Sequence, residues 1–159
     1  MKTIELQVYG FEELSDKSKQ RAIDSYRSSC TEYFWTDEGM DSIRAFVDHF
    51  GAELTDWRIG PYSPIDFDVK VTNNNFRGMK LRDFNREHMP TGYCVDCDLW
   101  MTFYDEFKKT GDAKTAFMDA LHAGFYAIRA DMELQDSEEF IIEHIVMNEY
   151  QFDETGKRI

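Results

Sequence analysis

The chain has 159 residues, 42% hydrophobic and 31% charged, with a mean hydropathy of -0.57, which excludes a disordered or fibrous protein and leaves no apolar run long enough for a membrane span. An aromatic fraction of 15% supplies a core without disulfide or metal staples. Against 18 Lys and Arg stand 31 Asp and Glu, and the net charge of -13 sets the bulk surface against nucleic-acid phosphates and anionic membranes.

The opening MKTIELQVYG lacks the basic, apolar and small-residue zones of a signal peptide, so a cytoplasmic location is expected. Three cysteines at low density then read as reduced thiols. Residues 2–9 alternate, with Ile4, Leu6 and Val8 against Thr3, Glu5 and Gln7, which predicts a half-buried strand closed by Tyr9. Ser15 is a natural N-cap for a helix to about Ser28 whose buried stripe is Ala22, Ile23 and Tyr26. A second helix is predicted from a Thr36 cap, with Met40, Ile43, Phe46, Val47 and Phe50 at helical spacing and Gly51 as its left-handed end.

From Ala52 the period changes to two, giving a strand through Leu54 to about Ile59. Ile65, Phe67, Val69 and Val71 alternate with Asp66, Asp68 and Lys70, the cleanest strand pattern in the chain. Asn73, Asn74 and Asn75 tolerate the backbone of a hairpin turn, with Met79 to Arg82 as its returning strand and 83–92 as a loop. Helical spacing resumes over about 95–109, where a strand from Cys94 to Tyr104 is the alternative, and Gly111 is the stop. Asp112 caps a helix carrying Phe117, Leu121, Phe125, Ile128 and Met132 on one face. Asp136 and Glu139 fit a capping box for a last helix carrying Phe140, Ile141, Ile145 and Val146, before Tyr150–Phe152 and a turn at 153–156. No repeat or linker interrupts this order. The pattern predicts one α+β domain over 1–159, a small, largely antiparallel sheet packed with four to five helices.

No phosphate-cradling glycine loop, nucleophile elbow or H-E-x-x-H pair is present, so no catalytic residue, metal ligand or cofactor is assigned and the protein is read as a non-enzyme. Cys94 and Cys97 form a C-x-x-C that with His88 or Cys30 could complete a four-ligand zinc site, but the second close pair normal for structural zinc is missing. Asp119 and His122 share a helix face, but no second such pair completes a di-metal site. Residues 70–86 are basic, with Lys70, Arg77, Lys80, Arg82 and Arg86 against Asp83 and with Phe76 and Phe84 interleaved. Such a ribbon suits a nucleic-acid strand, yet the overall charge opposes direct binding, and docking on the protein's own acidic ends is favoured.

The charge lies at the two ends: residues 1–60 carry 7 basic and 12 acidic side chains, 61–110 carry 7 and 8, and 111–159 carry 4 and 11. Glu12, Glu13, Asp16 and Asp24 near the first helix, and Asp136, Glu138, Glu139, Glu143 and Glu149 around the last, are the candidate partner-binding residues. Carboxylates spaced along helices can imitate the phosphates of duplex DNA, while the plainer reading is a solubilising surface.

The run from Val8 to Ile23, with its Glu13-Leu14-Ser15 cap and lysine-rich helix, and the close Asn148-Glu149-Tyr150-Gln151-Phe152 resemble the ends of a group of small phage and prophage proteins. The resemblance covers about a fifth of the chain and implies a mobile-element protein in a bacterial cytoplasm. By analogy of class it implies a non-enzymatic inhibitor of a host defence or other nucleic-acid-handling protein, of anti-CRISPR or anti-restriction type. The expected partner is then a basic nucleic-acid-binding host protein. A neutralising antitoxin is the alternative, and an enzyme or metal protein with an unrecognised site the third reading.

Overall fold

The computed structural model describes residues 5–30 and 32–159. In chain order the elements are β1 (Tyr9–Gly10), α1 (Asp16–Ser29), α2 (Thr36–His49), β2 (Glu53–Arg58), β3 (Asp66–Lys70), α3 (Val95–Thr110), α4 (Ala113–Gln135), α5 (Glu138–Met147) and β4 (Gln151–Phe152). The architecture is α+β, with five helices and two antiparallel strand pairs among the described residues. The chain divides into two compact units. The end unit is Met1–Tyr33 with Leu134–Ile159, and the central unit is Phe34–Glu133.

In the end unit β1 pairs with β4 in the register Tyr9 to Phe152 and Gly10 to Gln151. Ser15 caps α1 as its residue type dictates, its Oγ accepting from the Ser18 N–H at 3.2 Å. Ala22 and Ile23 on α1 meet Ile141 and Ile145 on α5, and Phe11, Leu14 and Phe152 close the core. Each of the isoleucine, leucine and phenylalanine side chains contributes about 1.5–3 kcal/mol on burial. Three expectations change here. Of the strand predicted over 2–9, the described residues 5–8 are unpaired and only Tyr9 lies in β1; Leu6 and Val8 are 59% and 43% exposed, because β4 offers only two paired residues and the stretch before β1 has no strand partner among the described residues. Ile4 lies outside the described residues. At α5 the cap is Ser137, whose Oγ accepts from the Phe140 N–H, while the Asp136 carboxylate turns to Arg27. Val146 leaves the buried stripe and is exposed.

The central unit is built on α2, α3 and α4. The predicted apolar faces of α2 and α4 are buried throughout, from Met40 to Phe50 and from Phe117 to Met132. The backbone bends into positive φ at Gly51 and Gly111, where α2 and α3 end. Phe46, fully buried, meets Phe50, Trp100, Phe103 and Phe117 at centroid distances of 4.9–6.1 Å. Residues 95–110 are helical, so the strand alternative fails. The α2 cap position belongs to Trp35, not Thr36: Trp35 holds a left-handed φ of 62°, and its carbonyl accepts the first intrahelical bond from the Gly39 N–H.

The predicted hairpin of residues 65–71 with 79–82 does not form. Strand β3 pairs instead with β2, and Asn73–Phe76 and Leu81–Asp83 are single turns of 3-10 helix. Asn75 explains the difference: its Oδ1 accepts from the Thr72 N–H at 2.8 Å, and its Nδ2 donates to the Phe50 and Gly51 carbonyls at 3.0 Å each. Its amide thus satisfies carbonyls at the end of α2 instead of shaping a hairpin turn. A bulge between Leu54 and Asp56 brings Leu54 and Trp57, three residues apart, to a common half-buried face.

Candidate functional site

All nine carboxylates singled out from the sequence fall in the end unit. That unit concentrates charge: its 59 residues carry a net -6, against -7 on the 100 residues of the central unit. Eight of the nine are exposed, and Asp136 is half-buried. Four have work inside the fold. Glu12 pairs with Lys19 at 3.1 Å, Glu13 accepts from the Gly10 N–H at 2.6 Å, and Asp24 and Asp136 lie 3.6 and 3.7 Å from Arg27. Asp16, Glu138, Glu139, Glu143 and Glu149 make no ion pair among the described residues. Asp16, Glu138 and Glu139 sit in the first turns of α1 and α5, where the helix dipole favours a negative charge. Glu143 follows Glu139 by one turn, and Glu149 holds a left-handed φ of 52° just beyond α5.

Antiparallel pairing of β1 and β4 joins the two acidic groups. Glu12, Glu13 and Glu149 line one open groove of about 450 Å³ together with Val8 and Val146. Met147, 74% exposed, adds a further apolar group on α5. The surface is therefore acidic and apolar together. A second groove, of about 1060 Å³, mixes Lys17 and Arg21 with Asp24 and Glu154, and no single sign of charge dominates it. On α5, His144 packs between Tyr26 at 5.3 Å and Tyr150 at 5.9 Å, and Arg158 lies 3.5 Å over the Tyr150 ring. Burial, then the neighbouring Cys30 and Tyr150, push the Tyr26 hydroxyl above its ordinary pKa, so that ring acts as a neutral packing group.

The other sequence candidates sit in the central unit. In the basic segment, Phe76 and Phe84 face inward, Phe76 against Phe117 and Phe84 against Phe103. Lys70 pairs with Glu53, and Arg86 grips Asp105 through two bonds of 2.8 and 2.9 Å, holding that carboxyl below the usual range. The aromatics are thus withdrawn from stacking on a strand of nucleic acid, and two of the five cations are engaged. Asp119 and His122 are both exposed on α4, with the His122 ring against Phe67 at 4.9 Å. Among the described residues no group of three or more His, Cys, Asp and Glu side chains is placed to hold a metal ion, and no helix is long and apolar enough to cross a membrane.

One arrangement escaped the sequence reading. Arg129 donates to the Ser63 carbonyl at 2.8 Å and lies 5.0 Å from the Tyr126 ring, while Glu133 accepts from the Tyr62 N–H at 3.0 Å. The pair Arg129 and Glu133, four apart on α4, was the available signal, and it fixes the loop that presents Tyr62.

His49 and His88 both turn an edge to Trp100, each at 4.8 Å. Although His49 is otherwise exposed, desolvation against this cluster, and then the His88 charge, lower its pKa. The folded state thus binds the His49 proton less readily than the unfolded chain does. Its contribution is present above the ordinary imidazole value of about 6.5 and is lost as pH falls from there through the depressed folded value. The urea midpoint followed by tryptophan fluorescence should fall as pH is lowered across that window, and His49→Gln should flatten the dependence. An unchanged pH profile in the variant would assign the effect elsewhere.

Comparison with protein-family models, with curated proteins and with solved structures returns no match.

Proposed function

We propose that the protein is a non-enzymatic binding protein that docks its acidic end unit on a basic, nucleic-acid-handling host protein and thereby blocks it. The observation that carries this reading is the convergence of the two sequence-distant acidic groups in one compact unit, around a groove with exposed Val8 and Val146. Glu139 and Glu143 project carboxylates one turn apart from α5, where they can occupy positions a partner keeps for phosphates. Val146 and Met147 beside them supply the apolar area that a naked polyanion lacks, and so select protein over a simple cation. The resemblance of the chain's ends to phage and prophage proteins supports a bacterial cytoplasmic setting and an anti-defence role.

The test is affinity purification from a bacterial host lysate at low salt, comparing the protein with a Glu139→Lys/Glu143→Lys double variant. Both positions are exposed and lack ion pairs, so the variant should fold, with a cost of about 0.3–1 kcal/mol from a lysine in the first turn of α5. A basic partner is expected whose binding is competed by duplex DNA and weakened about tenfold or more in the variant, or at least ~1.4 kcal/mol. Equal retention by the variant, or indifference to DNA, overturns the reading.

A further inference from the structure

The C-x-x-C motif gains a third sulfur in the fold. Cys94 occupies the N-cap position of α3 and Cys97 follows one turn later, its N–H donating to the Cys94 carbonyl at 3.0 Å. Both are free and exposed. Met89, also exposed, comes from the preceding loop and places its Sδ 3.2 Å from the Cys97 Sγ. This contact rests on a built corner. The fully buried Asp96 accepts through one oxygen from the Thr91 N–H, the Thr91 hydroxyl and the Gly92 N–H at 2.9–3.0 Å. The Thr91 hydroxyl also contacts Ser42 Oγ on α2 at 2.9 Å. The residues between Met89 and Cys94 are thereby fastened to the start of α3.

We propose that Met89, Cys94 and Cys97 form a surface site for a soft monovalent d10 cation of the copper(I) class. Two thiolates and a thioether are soft donors, and such a set selects this class over hard cations, which take oxygen ligands. Structural zinc requires four ligands, and among the described residues no group of three or more His, Cys, Asp and Glu side chains is placed to supply them. Binding replaces the two thiol protons by one cation: the ion joins two thiolates and the Met89 sulfur, two protons go to solvent, and no electron is transferred. A trigonal set with metal–sulfur bonds of ~2.3 Å needs sulfurs about 4 Å apart, so Met89 must withdraw slightly, which its three rotatable side-chain bonds permit.

The test is competition for copper(I) against bicinchoninate under anaerobic, reducing conditions. One ion per chain is expected, with release of two protons. Cys94→Ser and Cys97→Ser should each lower affinity about 100-fold or more, Met89→Leu about tenfold, and Cys30→Ser not at all. X-ray absorption on the copper-loaded wild-type protein should show three sulfur neighbours, a result that does not depend on any variant folding. An unaltered affinity in Met89→Leu, oxygen or nitrogen neighbours, a requirement for Cys30, or equal affinity for zinc(II) would each overturn the site.

Discussion

Phe46→Ala should destabilise the central unit by about 3–5 kcal/mol, the range for emptying a fully buried aromatic position. Phe46 is the hub of its core, stacked on Phe117 at 5.4 Å and edge-on to Trp100 at 4.9 Å. Truncation removes these ring contacts, and the surrounding rings are held by one another and by three helices, so the space cannot close. All three tryptophans, Trp35, Trp57 and Trp100, lie in the central unit, so intrinsic fluorescence during urea unfolding reports that unit. Phe46→Leu, which refills part of the space but loses the ring contacts, should cost less than the alanine variant. A loss below ~2 kcal/mol for the alanine variant would mean that the core collapses around the gap.

Gly156→Ala is expected to cost the end unit about 3 kcal/mol, the sum of two penalties of about 1–2 kcal/mol each, one for backbone strain and one for overpacking. Gly156 has a φ of 83°, and a Cβ there would collide with the Ser18 backbone carbonyl. That carbonyl cannot move aside, because Ser18 is held in the first turn of α1 by Ser15 and donates its own hydroxyl to the Glu154 carbonyl at 2.8 Å. The turn is equally fixed on its other side: Asp153 accepts from Thr155 and from the Lys157 N–H, bonds that hold its carboxyl below the usual range. Gly78→Ala is the matched control, since its φ is 75° with open space around it, so only the strain remains. Hydrogen exchange of the α1 and α5 amides reads the Gly156 variant and that of the α2 amides, in the central unit, reads the Gly78 control; equal losses in the two would remove the collision from the account.

Long-period patterns were legible where one element carries its own burial. Phe117 to Met132 and Met40 to Phe50 are apolar every third or fourth residue, and both faces are buried as that spacing requires. What was not legible depends on partners distant in the chain. Leu6 and Val8 alternate like a buried strand, but burial requires a neighbour, and β4 ends after two residues. Asn75 reads locally as a turn former, whereas its amide is spent on the Phe50 and Gly51 carbonyls, 25 and 24 positions earlier. The acidic residues were visible one by one, and their distribution to the ends was visible too. That the two ends join in one unit follows from the pairing of Tyr9 with Phe152, which no local rule contains.

The end unit is assembled from two pieces of chain with the whole central unit between them. During synthesis, residues 34–133 are complete before Ile141, Ile145 and Phe152 exist, so a nascent chain can close the central core while Phe11, Leu14 and Ile23 still lack their partners. The carboxylate surface therefore matures last: the groove of Glu12, Glu13 and Glu149 arises only when the final segment returns to β1, a closure of high contact order. A chain cut short before α5 would keep its tryptophan-bearing core and have no assembled acidic face to offer a partner.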